Sequence, residues 1–237
     1  MPTDQAIQGI RLSPQQLRQW SLFASGRMPQ SVCSAEIEGE IAPAVLENAV
    51  PAVVKRHEIL RTRFCLVHGM KDPLQVVSDE GLVSIQWQDL GSATPQECAR
   101  KLEQLFEHEV AKPADLEQAL LNVTAVRLPQ GAMQLVVSVP ALVADHRGVE
   151  ILLQQIAEEC AGASGVAAPR GGDPQEVTQY ADISETLNEC LESPEADAGR
   201  VYWKRECGSQ FLATPFVGDA HDAATSSMAR NPFSVRG

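Results

Sequence analysis

The residues best placed for chemistry are Asp145, His146 and Arg147 in VSVPALVADHRGVEILLQQI, residues 137–156, where an apolar strand runs into an amphipathic helix. A histidine at such a junction has a pKa near neutrality, so it can take or give a proton if a reacting group lies within hydrogen-bond reach. His146 falls at or just before the helix start and reads as an exposed histidine at a helix entrance. His57, beside Glu58 at the end of another helix, reads as a capping or hydrogen-bonded structural residue. Six cysteines (Cys33, Cys65, Cys98, Cys160, Cys190 and Cys207) lie scattered without a CxxC or Cys/His cluster. They read as reduced thiols, not as metal ligands or a disulfide framework. There is no GxGxxG or GxxxxGK(S/T) phosphate loop and no GxSxG nucleophile elbow; SPQQ and SATP look like helix starts.

The elements that must position these groups follow from periodicity. Ser13 as N-cap and Pro14 at the first position predict a helix over 14–24, with Leu17, Trp20 and Leu22 as its stripe. Alternation at 31–41 predicts a strand, and a helix begins at Pro43 with Leu46, Val50, Val53 and Val54 on one face. Pro51 is expected to kink or interrupt that helix, because it removes a backbone donor. TRFCLV (62–67) and LQVVS (74–78) predict a hairpin, and LVSIQW (82–87) a further strand. Thr94 opens a helix through Cys98, Leu102, Leu105, Phe106 and Val110, with Glu103, Glu107 and Glu109 expected on a solvated face. LLNVTAVRL (120–128) and MQLVVSVP (133–140) are strands buried on both faces, followed by a helix with Val149, Leu152, Leu153 and Ile156 inward.

GASGVAAPRGGDP, 162–174, has the composition of a connector. It divides the body, residues 10–161, from a helical extension at 175–210 and a tail or linker at 211–237. Leu187, Cys190, Leu191, Val201 and Trp203 are expected as packing anchors of the extension; Trp20, Trp87 and Trp203 are expected as core or interlobe anchors.

Of 237 residues 44% are hydrophobic, enough for a substantial core, and the formal net charge is −12. That charge repels phosphate backbones and anionic lipid, so neither nucleic acid nor membrane is an expected partner. With no long apolar run and no basic-then-apolar leader, the expected location is cytoplasmic.

Four separated segments carry a joint resemblance: SPQQLRQWSL at 13–22, RHEILRTRF at 56–64, the strand-to-helix segment at 137–156, and QYADISETL at 179–187 followed by YWK at 202–204. Their order resembles that of condensation domains of nonribosomal peptide synthetases, with RHEILRTRF the most specific match. The resemblance covers residues 10–210 and corresponds to the N-terminal lobe of that family. It implies an α/β fold: a single chloramphenicol acetyltransferase-like lobe, a mixed β-sheet flanked by helices with a helical C-terminal extension. It also implies peptide-bond formation between thioesters on phosphopantetheinyl carriers, with no cofactor bound to this chain itself.

The family's motif is His-His-x-x-x-Asp-Gly, whose second histidine sits beside the attacking amine. Aligning strand and aspartate puts Pro140 and Ala141 at the two histidines, Asp145 at the aspartate and His146 at the glycine. Ala141 has no proton-transfer group, and His146 lies five residues later, so no catalytic residue is expected, with His146 the remaining candidate. The heterocyclisation variant needs Asp at 140 and Ser at 148, where this chain has Pro140 and Gly148. In the family the aspartate pairs with the arginine of RHExLRT, which implies a structural Arg61–Asp145 pair here.

The expected function is a noncatalytic condensation-like platform, a pseudoenzyme docking adenylation or carrier domains or a recruited tailoring enzyme. The alternative is half of an active condensation domain. A half that normally packs on a second lobe either pairs with another chain, as in a homodimer, or has lost its apolar patch.

Overall fold

A computed structural model of the chain describes residues 9–23, 28–37, 39–163, 178–207 and 234–235. The elements run β1 (Ile10–Arg11), α1 (Pro14–Phe23), β2 (Gln30–Ile37), α2 (Pro43–Arg56), β3 (Thr62–Cys65), β4 (Leu74–Val77), β5 (Val83–Asp89), α3 (Pro95–Ala111), β6 (Leu121–Arg127), β7 (Met133–Pro140), α4 (His146–Ala163), α5 (Tyr180–Glu192), α6 (Asp197–Glu206) and β8 (Ser234–Val235). A mixed five-stranded sheet has the order β5-β6-β7-β2-β8, and a three-stranded sheet the order β1-β4-β3. In the larger sheet β5 is parallel to β6 and β8 to β2, while β6, β7 and β2 pair antiparallel.

The centre of the large sheet follows from its composition. β-Branched and aliphatic residues fill β6 and β7, and every residue of β7 except Gln134 is buried. Alternation then sorts them by face. Leu135, Val137 and Val139 join Val123 and Ala125 in one core with Leu46, Val50 and Val53 of α2 and Val149, Leu153 and Ile156 of α4. Val126 points the other way, into a smaller core with Leu90, Cys98 and Leu128, against which Leu102 and Leu105 of α3 pack. The strands therefore lie between an α2/α4 layer and α3. The β6–β7 turn places Gln130 and Gly131 at φ 65° and 81°, a region open to glycine and costly for the glutamine.

Two helix starts form as their sequences imply. The Ser13 hydroxyl accepts from the Gln16 amide N–H at 3.1 Å, and the Gln16 side chain accepts from the Ser13 N–H at 2.9 Å, a reciprocal cap on α1. Thr94 and Glu97 do the same on α3, and those Thr94 donors hold the Glu97 carboxyl below its usual range.

Five expectations are corrected. Pro51 does not interrupt α2, which runs unbroken from Pro43 to Arg56. Pro51 and Glu47, whose carbonyl loses its intrahelical donor, are both exposed, so water can replace the missing bond. Glu109 is buried, not on the solvated face with Glu107. On α5 the inward face is Ala181, Ser184 and Asn188, which leaves Cys190 and Leu191 exposed. On α6 no residue is buried, and Val201 and Trp203 are open to solvent. Trp87 is also partly exposed, on edge strand β5. Most of the 162–174 connector and of the 211–237 tail lies outside the described residues. No helix among the described residues is long and apolar enough to cross a membrane.

Candidate functional site

Strand β7 delivers the motif-bearing turn. Pro140 is its last residue, opposite Gln30 of β2. The Ala141 amide donates to the Pro29 carbonyl at 2.9 Å, and the Val143 and Ala144 amides donate to the Pro140 carbonyl at 2.8 and 3.3 Å. Leu142 and Val143 are buried, and the Leu142 carbonyl accepts from the Gln16 side-chain amide at 3.4 Å. The turn is thus built from backbone bonds and two apolar anchors.

Gln16 belongs to a buried polar network that ties this turn to the small sheet and to α5. Its amide also donates to Gln75 Oε1 at 3.0 Å, while Gln75 Nε2 donates to the Arg11 carbonyl at 3.0 Å and to Ser184 Oγ at 3.4 Å. Asn188 Nδ2 donates to the Leu12 carbonyl at 3.0 Å, and Ser13 Oγ lies 2.7 Å from the Tyr180 hydroxyl. Beside it, the Arg11 backbone N–H donates to Glu185, which holds that carboxyl below its usual range, with the Arg11 guanidinium adding to the effect. Periodicity carries no trace of this network; the one local sign is the Ser13-to-Gln16 spacing.

Asp145 and Arg61 do not form the expected pair. Asp145 is exposed and caps α4: its Oδ1 accepts from the Gly148 amide at 2.8 Å, and its carbonyl accepts from Val149 N–H at 3.0 Å. Arg61 has turned to neighbours nearer in the chain. It ion-pairs with Glu58 at 3.1 Å and donates to the Ser78 carbonyl, while its buried Nε has no hydrogen-bond partner among the described residues. Each charge thus has a partner nearer in the chain than the other. Replacing Asp145 with Ala is expected to cost about 1 kcal/mol through loss of the cap. Chemical denaturation checks this, and a loss of several kcal/mol would instead indicate a buried ion pair.

His146, the first residue of α4, is 68% exposed, with Nε2 3.4 Å from Glu150 Oε1. Glu150 also pairs with Arg147 at 2.7 Å. Ala141 is half-buried and contributes a methyl group. On the sheet, Gln30 sits opposite Pro140 with its side-chain oxygen buried and without a hydrogen-bond donor among the described residues. Pro140 has neither an N–H nor a side-chain donor to offer it. Cys33, the thiol on β2, is pushed up in pKa by burial and then by Glu150, which disfavours a thiolate nucleophile. His57 caps α2 through its N–H to the Val54 carbonyl, and its Nε2 lies 2.6 Å from Gln155 Oε1. No group of three His, Cys, Asp or Glu among the described residues is arranged to hold a metal.

A mixed sheet between helical layers, with a strand-to-helix turn at its centre, is a chloramphenicol acetyltransferase-like lobe. It overlays SgcC5 of Streptomyces globisporus with a TM-score of 0.71 at 22% identity, over 83% of this chain and 46% of that one. For the starter condensation domain of the rhizomide synthetase RzmA the values are 0.68, 19%, 85% and 48%. The condensation-domain family model matches residues 7–236, and the chain belongs to that family, among the condensation domains of nonribosomal peptide synthetases. Bacitracin synthase 2 of Bacillus licheniformis is 29% identical over 177 residues, 74% of this chain and 6% of the synthase. A linear gramicidin synthase polypeptide of Brevibacillus parabrevis is 27% identical over 221 residues, 91% of this chain and 3% of that polypeptide. The chain therefore spans under half of these solved chains and a few per cent of these synthases.

Proposed function

We propose that this chain is a noncatalytic condensation-like domain that serves a peptide synthetase as a structural platform, docking adjoining adenylation or carrier domains or a tailoring enzyme. The observation that carries the reading is Ala141: the position where the family places its working histidine ends in a methyl group, which cannot relay a proton. Two further features support it. Among the described residues the buried Gln30 oxygen opposite Pro140 has no hydrogen-bond donor, and the exposed His146 lies beside Glu150. A docking surface needs no general base. Phosphopantetheine is then an arm on partner carriers, and the cytoplasm is their compartment. The test is calorimetry and co-purification of the chain with the adenylation and carrier domains of its own synthetase. Association with at least one is expected, and its absence from all of them would remove the platform role.

One observation favours a second reading, half of an active condensation domain: the chain spans 46% and 48% of the two solved chains it overlays. A complementary lobe could supply orientation, which alone accelerates thioester aminolysis. Coding sequence for such a lobe directly after Gly237 would favour transfer, whereas an adenylation domain there would favour the platform.

A further inference from the structure

A cleft of about 340 Å³ lies between β5 and α3, and its walls include no residue of the 140–146 turn. Gln86 and Gln88 line it from the strand, and Lys101, Leu105, Glu109 and Lys112 from the helix side. Glu109 is the anomaly. Its side chain is only 8% exposed; Oε2 accepts from Ser138 Oγ at 2.8 Å, and Oε1 has only the exposed His108 Nδ1 at 3.7 Å. Among the described residues it ion-pairs with no lysine or arginine. A carboxylate has room for about four hydrogen bonds, so the acceptor positions of Glu109 that no side chain fills open on the cleft, where water or a ligand can donate to them.

The lining decides what that something is. A bare amine would meet Glu109 but be repelled by Lys101 and Lys112, neither of which is ion-paired among the described residues. A simple anion would meet the lysines and be repelled by Glu109. A molecule carrying both signs satisfies both, and the volume suits a small organic ligand. We propose that this cleft binds a free α-amino acid, its ammonium on Glu109, its carboxylate toward Lys101 and Lys112, and its side chain along Leu105 between the amides of Gln86 and Gln88. The site does not depend on the platform role.

The test uses the full chain. A thermal-shift screen of the twenty common amino acids at millimolar concentration is followed by calorimetry on the strongest binder, its N-acetyl derivative and its amide. Binding is expected for at least one amino acid, weaker by about tenfold or more for each derivative, since each removes one charged contact. Glu109→Gln keeps the acceptor for Ser138 and is expected to lose binding while retaining its circular dichroism spectrum. The surface double variant Lys101→Ala/Lys112→Ala is expected to weaken binding without touching the core. No shift from any of the twenty, or undiminished affinity in either variant or for either derivative, would overturn the assignment.

Discussion

Replacing Gln75 with Leu is expected to destabilise the fold by about 3 kcal/mol, although the two side chains are similar in size. Gln75 is 1% exposed, and its amide joins three elements: it accepts from Gln16 and donates to the Arg11 carbonyl and Ser184 Oγ. Leucine leaves all of these without that partner in a place water does not reach, and each stranded group costs roughly 1–3 kcal/mol. The Gln16 amide retains the Leu142 carbonyl, so the total stays below a simple sum. In a chain of this size the melting temperature falls by roughly 6–12 °C. The loss also reaches the motif turn, because Gln16 is what ties Leu142 to the small sheet. Faster hydrogen exchange at the Val143 and Ala144 amides, both bonded to the Pro140 carbonyl, is the local signature. A stability change below about 1 kcal/mol would mean the network is replaceable by apolar packing.

Gly81→Ala is expected to cost about 2 kcal/mol for a steric reason. A Cβ at this position would stand 2.5 Å from Val54 Cγ1, 3.1 Å from Arg61 Cβ and 3.3 Å from the Leu60 carbonyl oxygen. Val54 and Leu60 are core residues, so neither can withdraw freely. Urea denaturation gives the size of the effect, and a double-mutant cycle gives its cause. Gly81→Ala combined with Val54→Ala should be less destabilised than the two single changes added together. Strict additivity would assign the cost to the backbone instead. Arg61 shares this corner, and the segment after β4 gives it the Ser78 carbonyl as an acceptor.

Features with a local cause were legible in the sequence. The caps at Ser13 and Thr94, the β3–β4 hairpin and the doubly buried β6–β7 pair each depend on neighbours a few residues apart. The order of segments also pointed to the family. What the sequence concealed depends on distant partners. Whether Glu109 is solvated depends on Ser138, 29 residues away, which periodicity on α3 cannot report. Gln16 and Gln75 meet across 59 residues, so two unremarkable polar side chains become a buried joint. The Arg61–Asp145 pair was an inference by resemblance, and it failed because each charge had a nearer partner in Glu58 and the Gly148 amide. On α5, a face of Ala181, Ser184 and Asn188 took the inward place expected of larger residues, because the surface it meets presents polar groups.

The proposed role holds that the methyl group at position 141 leaves this chain without a proton relay, and a reconstituted transfer assay tests that proposal most directly. The chain is supplied with one carrier bearing an acyl thioester and another bearing an aminoacyl thioester, and product is followed by mass spectrometry. Product is expected to form no faster than from the two carriers alone. A rate more than about tenfold above that background, abolished by His146→Ala, would contradict the account and make the histidine at the start of α4 a catalytic base.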